Sequence, residues 1–448
     1  MRLPADVPGK IAADPLLLEE FAAICDFGGR LAGTESERQA MEYVAQRGSL
    51  ASGAPCVKIP VDYGGWRARK AELRLSDGTS VPCHPMVRSM PTPADGLTAE
   101  VIDLGRGTPE EFEAHRPEIA GRIVLVRHEL MFVAGTIHRR RKYNMALEAG
   151  ALGFLIAGPM AGELVAGSSG RNEGDAGIPA AGISPETAAL LARRAAGWPR
   201  ATLVVAAEEY PAQTSTLLFD LPGQTGDVIV LSAHVDGHDV NESAMDNASG
   251  VATALAVIRA VAQHVRTWRR GVRLAFFSAE EWALTGSARY VAGLSDDERK
   301  RIALNINLDT VAGSQRLTAL TSGFAGLEPF LLQAAEANGQ RLRCVRPLQT
   351  NSDHANFALA DIPAFRLVAG YDEPDANVRF VLTPGDRRDK VAPAELVASA
   401  QLTAGLLAAA CNASSPGAAL WRRQRPLRNG LINGRENELA QVPRQSLC

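Results

Sequence analysis

Cysteine is scarce and scattered: Cys25, Cys56, Cys83, Cys344, Cys411 and Cys448 are the only six in 448 residues, with no C-x-x-C pair among them. That spacing argues against a disulfide framework, and free thiols favour a reducing compartment, the cytoplasm. Charge of one sign is also missing. A formal net charge of −3 offers no basic field for nucleic acid and no acidic tail. The opening "MRLPADVPGKIAADPLLLEEF" lacks a basic-then-apolar signal segment. No run of about eighteen apolar residues occurs elsewhere. Neither nucleic acid nor membrane is therefore an expected partner. What remains, 46% hydrophobic and 22% charged residues, is the profile of a globular chain. Its length predicts two or three domains.

The texture of the chain changes three times. Residues 1–65 read as helical, with "DPLLLEEFAAICDF" and "TESERQAMEYVAQRGS" separated by Gly28-Gly29. Residues 66–210 carry short β-type runs such as "AEVIDLG" and "GRIVLVRH", interleaved with two short helix patterns, and read as a β-rich or mixed module. The run "HRRRK", His138 to Lys142, reads there as a solvated face. From 211 to 414 strands and helices alternate, and the strands are continuous apolar runs. This pattern predicts an α/β fold with a mostly parallel central sheet flanked by helices. Residues 415–448 lose the periodicity and read as a tail.

Functional groups of an open α/β sheet collect at the carboxyl ends of its strands. "VIVLSAHVD" ends in His234 and Asp236, "VRLAFFSAEE" in Glu280 and Glu281, and "ALNINLD" in Asp309. Asp246 stands where the helix pattern "NASGVATAL" begins, and His354 opens another after "LQTNSD". Imidazoles and carboxylates without thiolates suit zinc, cobalt or manganese. A carboxylate between two such ions bridges them, and two ions about 3.5–4 Å apart activate a shared water. A further carboxylate must stay off the metals to carry the proton. Each element alone has a plainer reading: a surface "EE", a structural "HxD", or Asp246 as a helix cap. Only the joint order outweighs these. His238 and Asp239 read as loop residues outside the site, and "RHELMF" around His128 lacks the second histidine of a zinc helix.

In that order, "HVD … MDNASGVATAL … FFSAEEWALTGSARYV … NINLD … SDHANF" resembles the di-zinc aminopeptidase and glutamate-carboxypeptidase family of metallopeptidases. The opening "FGGRLAGTESERQAMEYV" is similar to that family's first segment, and the middle module resembles the protease-associated domain many members insert. The resemblance implies two zinc ions per chain, with cobalt or manganese as substitutes. It implies that His234 and Asp309 bind one ion, that Glu281 and His354 bind the other, and that Asp246 bridges them. Asp236 would orient His234 from behind, and Glu280 would be the general base. Leu382 departs from the pattern, standing where many members carry histidine before Thr-Pro; this is expected to alter the substrate side of the cleft and leave the metals intact.

The leading expectation is an exopeptidase acting on a peptide or small amide, most simply an aminopeptidase, because an acidic cleft suits a free α-ammonium. A carboxypeptidase would use arginines, with Arg366 and Arg379 as candidates. A hydrolase of N-acyl amino acids keeps the same metals, although the related amidohydrolases insert their extra domain after the catalytic glutamates. A receptor-like protein would bind metal without turnover. Nothing in the sequence sets the oligomeric state.

Overall fold

The computed structural model describes residues 3–194, 197–414, 419 and 421. The tail expected over 415–448 otherwise lies outside the described residues. Strand Val228–His234 pairs along both edges with parallel neighbours, Gly271–Phe277 and Ile302–Leu308, and is buried from Ile229 to His234. Ala364–Ala369 extends the parallel run beyond Ile302–Leu308, and Leu317–Leu320 and Arg343–Val345 complete that edge. On the other side, Gly271–Phe277 pairs antiparallel with the long strand Arg200–Leu221. Apolar side chains on both faces explain the unbroken hydrophobic runs.

Register decides what the sheet delivers. Phe277 lies opposite His234, and Asn307 opposite Ser232. The three strands therefore end together, and the residues that follow them emerge side by side at one rim.

Helices cover the sheet as expected. Glu35–Ser52 starts at Thr34, whose hydroxyl accepts from the Glu37 amide at 3.2 Å, and stops at Gly53. Ser249–Val265 is apolar nearly all round because it is enclosed by the sheet and other helices. With its irregular first turn, it and Pro393–Asn412 are long and apolar enough to span a bilayer by composition alone. Both are mostly buried within the fold, as core helices are. The five described cysteines are unpaired.

Two strands, Val57–Leu75 and Arg200–Leu221, pair antiparallel from Val57 opposite Leu218 to Leu75 opposite Ala201. The ribbon passes positions 66 and 210 without a break and carries the middle module. There Leu97–Asp103, Ile123–Arg127, Gly153–Ala157 and Ala180–Ile183 form a parallel run, with helices Arg139–Glu148 and Pro185–Leu191 beside it. The module has its own apolar core around Ile123, Leu125 and Leu155.

Candidate metal centre

His234 leaves its strand with its ring aimed at two carboxylates. Its Nε2 lies 3.1 Å from Asp246 Oδ1 and 3.6 Å from Asp309 Oδ1. On the other side of the ring, Nδ1 is 3.0 Å from the Asp236 carbonyl, which as an acceptor requires the proton to sit on Nδ1. Nε2 is thereby left as a bare lone pair in the neutral ring. Ligand atoms of His234, Asp246 and Asp309 all fall within 4.8 Å of one another, the spread of a metal-binding triad.

Asp246 is presented by an irregular turn, Ala244–Ala248, that precedes helix Ser249–Val265. Its neighbour Asn247 serves the helix instead: Asn247 Oδ1 accepts from the Gly250 amide at 3.0 Å, and its Nδ2 donates to the Leu308 carbonyl at 2.9 Å. Asp246 Oδ1 is buried without a hydrogen-bond partner and is free to face the cleft. A Cβ at Gly250 would lie 2.4 Å from the Leu308 carbonyl, so the helix start seats against the strand only with glycine there.

The glutamates are aimed by Asp236. Its carboxylate accepts from the Glu280 amide at 3.1 Å and the Glu281 amide at 3.2 Å. Glu280, Glu281, Asp246 and Asp309 line one cleft of about 480 Å³, together with Arg139 and Leu382. Glu281 Oε2 lies 2.7 Å from His238 Nε2.

The charges in this small volume compete. Burial pushes Glu280 well above the usual carboxylate range; His234 opposes this, while Glu281, Asp353 and Asp309 add to it. Burial, Asp309 and Glu281 raise Asp246 to about 6. Burial disfavours a charged His234, but Glu280, Asp236, Asp246 and Asp309 outweigh it and hold the ring well above its ordinary value. Burial also disfavours ionised Asp309, yet Arg366, 3.1 Å away, and His234 keep it below the ordinary range. The site has an acidic excess that cations relieve.

The chain is similar to known proteins over most of its length. Residues 216–407 match the model of peptidase family M28, and residues 85–191 that of the PA domain. The probable lipoprotein aminopeptidase LpqL of Mycobacterium tuberculosis is 27% identical over 77% of this chain and 70% of that protein. Aminopeptidase YwaD of Bacillus subtilis is 26% identical over 82% and 78%. Among solved structures, a peptidase M28 precursor from Shewanella amazonensis superposes with a TM-score of 0.75 at 20% identity, over 91% of this chain and 96% of that one. The fold is therefore shared with that structure. Residues 216–407 are a peptidase family M28 domain. The chain is a metallopeptidase with an inserted PA domain.

Within this M28 domain, six of the seven residues singled out in the sequence meet at the cleft or directly behind it. His354 is the exception. It is fully buried at the start of helix His354–Leu359 and does not line the cleft. Burial and then the charge of Arg366 hold it down at about 3, with Asp309 opposing. His238, read as a loop residue outside the site, is buried with its Nε2 2.7 Å from Glu281 Oε2. Asp239 does stay outside, pairing with His84 at 3.1 Å.

The arginine candidates also divide. Arg366 is buried and committed to Asp309, donating from Nε to its carbonyl at 3.2 Å. Arg379 lines a separate cavity, and its guanidinium bonds the Asp375 carbonyl.

"HRRRK" is not a solvated face: none of its five residues is exposed. Lys142 is fully buried, donating to the Arg127 carbonyl and to Glu129, both at 2.8 Å. Arg139 donates to the Ser168 carbonyl at 2.9 Å and faces the cleft. A charge run read in sequence ignores that long basic side chains bury their stems and seek acceptors on a neighbouring element.

Two acidic residues went unnoticed in the sequence. Asp353 is fully buried and raised to about 7, chiefly by burial, against the pull of His234. Asp386 accepts from the Met245 and Asp246 amides at 2.7 and 3.2 Å, fixing the backbone that carries Asp246. Its signal was its place in the late loop "LTPGD".

Proposed function

We propose that this chain is a zinc exopeptidase using two metal ions, an aminopeptidase with Glu280 as general base. The observation that carries the reading is the His234–Asp246–Asp309 triad with the buried Glu280–Glu281 pair in the same cleft. The donor set fits zinc: two or more imidazoles, several carboxylates and no thiolate. Buried atoms without hydrogen-bond partners, His234 Nε2, Asp246 Oδ1 and Glu281 Oε1, are what unfilled coordination leaves. Aminopeptidase YwaD is named for the amino end, and a solved neighbour from Bacillus subtilis is titled a zinc aminopeptidase, which supports the choice of peptide end and of ion.

Zinc, when bound, polarises the scissile carbonyl and acidifies a water. The residues supply the rest. Asp246, 3.1 Å from His234 and lining the same cleft as Glu281, would be the carboxylate shared by both ions. Asp236 holds the His234 tautomer and points the two glutamates. Glu280 takes a proton from the attacking water, whose oxygen adds to the carbonyl carbon. The C–N bond then breaks, and Glu280 returns that proton to the leaving amine. The acidic wall suits the substrate's α-ammonium.

The test is zinc-loaded protein on a panel of aminoacyl arylamides, dipeptides and N-acyl amino acids, beside Glu280→Gln. Wild type is expected to release N-terminal residues. The variant should keep its metal and lose about 10²–10⁴-fold in kcat, the contribution of a positioned general base. No cleavage anywhere in the panel would sink the exopeptidase reading and favour a silent binding protein.

A further inference from the structure

We propose that His238, rather than His354, is the histidine that binds the metal ion shared with Glu281; this rests on the two-metal reading above. His238 Nε2 and Glu281 Oε2 stand 2.7 Å apart, both side chains buried. Neither ring nitrogen of His238 has a hydrogen-bond partner, so this close approach is not a hydrogen bond of good geometry. Glu281 Oε1 is also buried without a partner. An imidazole and a carboxylate crowded together with unmet lone pairs are the two first ligands of an ion, with Asp246 lining the same cleft as the third.

The His238 loop is fixed rather than free. Its amide donates to Ser243 Oγ at 3.0 Å. Arg30, fully buried, donates to the carbonyls of Val235, Glu242 and Ser243 on either side of the loop, at 2.8, 2.8 and 2.9 Å. A Cβ at Gly29 would lie 2.3 Å from the His238 carbonyl, so the chain passes there only because residue 29 is glycine. The ring is thus held on Glu281 by contacts from a segment some two hundred residues upstream.

The competing donors are accounted for. His354 is fully buried at the start of its helix, with Arg366 as the strongest charge acting on it, which disfavours a cation at that ring. On the opposite wall, Leu382 is buried and presents only methyl groups to the cleft. Leu382 therefore supplies no ligand to an ion at Glu281. His138 also lines the cleft, but its Nδ1 accepts from the Arg140 amide at 3.2 Å as the cap of its own helix; His238 is the histidine whose ring meets Glu281.

The experiment counts metal in the full chain. Wild type, His238→Gln and His354→Gln are loaded with zinc, desalted and measured by plasma mass spectrometry. The cobalt-loaded forms are compared by visible absorption. Circular dichroism melts verify folding, and His238→Asn is made alongside as a second variant of the same position. Wild type and His354→Gln are expected to hold two ions per chain. His238→Gln should retain one, with the visible band of the second cobalt gone. Two ions retained in both His238 variants, or one lost from His354→Gln, would overturn the assignment. A single ion in wild type would instead sink the two-metal reading on which it rests.

Discussion

Asp236 does not reach the cleft, yet three directions depend on it. Its carbonyl fixes the proton on His234 Nδ1, and its two carboxylate oxygens hold the amides of Glu280 and Glu281. Asp236→Asn keeps the shape but turns one acceptor into a donor facing a backbone N–H, leaving that amide buried and unpaired. Groups that orient metal ligands typically cost about 10–100-fold in affinity or activity when changed. Asp236→Asn should fall in that range in a zinc titration while the protein stays folded. An unchanged titration would mean that the glutamates are aimed by their own turn. The sequence showed Asp236 as half of an "HxD" at a strand end, which located it. That its carboxylate serves the "EE" depends on two parallel strands ending in register, a property of the sheet that no local pattern carries.

The turn that carries Asp246 and the late loop that braces it set the electrical state of the site. Burial raises Asp246 to about 6, and Asp353 and Asp386 to about 7. In the unfolded chain such carboxyls titrate near ~3.9. A group that binds its proton more tightly when folded adds stability that is complete below the unfolded value and is lost as pH rises through the folded one. Asp309 and Glu281, shifted the other way, stabilise above the unfolded carboxylate range and lose that contribution only in more acidic solution. Between pH 5 and 7.5 buried His128, His138 and His354, held below the ordinary imidazole range, oppose this trend, but the raised carboxyls, Glu280 among them, outnumber them and set the sign of the slope. Protein stripped with a chelator should therefore melt at a higher temperature at pH 5 than at pH 7.5. Reloading zinc should reverse the order, since metal uptake displaces those protons. Calorimetric titrations in buffers of different ionisation enthalpy should register the proton release. A flat melting temperature across this window would show that the carboxyls are not held protonated. The same elements mark where reading the sequence stops. Apolar strands announced their ends, and "DNASG" announced a helix start. That Asn247 caps the helix and frees Asp246 turns on the Leu308 carbonyl, sixty residues away. The burial of His238 beside Glu281 is hidden from the sequence for a similar reason: its loop is set by Gly29 and Arg30, far upstream.

The inserted PA domain supplies part of the cleft itself. Arg139 stands at the start of helix Arg139–Glu148, is anchored on the Ser168 carbonyl, and lines the same cleft as Glu280 and Glu281. The module's core was legible as alternating apolar runs, but its orientation over the site was not. That orientation follows from the long pair Val57–Leu75 and Arg200–Leu221, which runs unbroken out of the catalytic sheet into the module. A guanidinium placed opposite buried carboxylates suits a substrate group of negative charge. Dipeptides put their terminal carboxylate one residue beyond the scissile bond, whereas aminoacyl arylamides carry none. Arg139→Met keeps most of the buried stem while removing the charge. The variant should raise KM for dipeptides by about tenfold, the worth of roughly 1.4 kcal/mol, and leave KM for arylamides and the metal content near wild type. Equal losses on both substrates would make Arg139 a structural strut between module and catalytic sheet. A loss confined to dipeptides would make the PA domain a working wall of the active site, selecting short peptides by their carboxyl end.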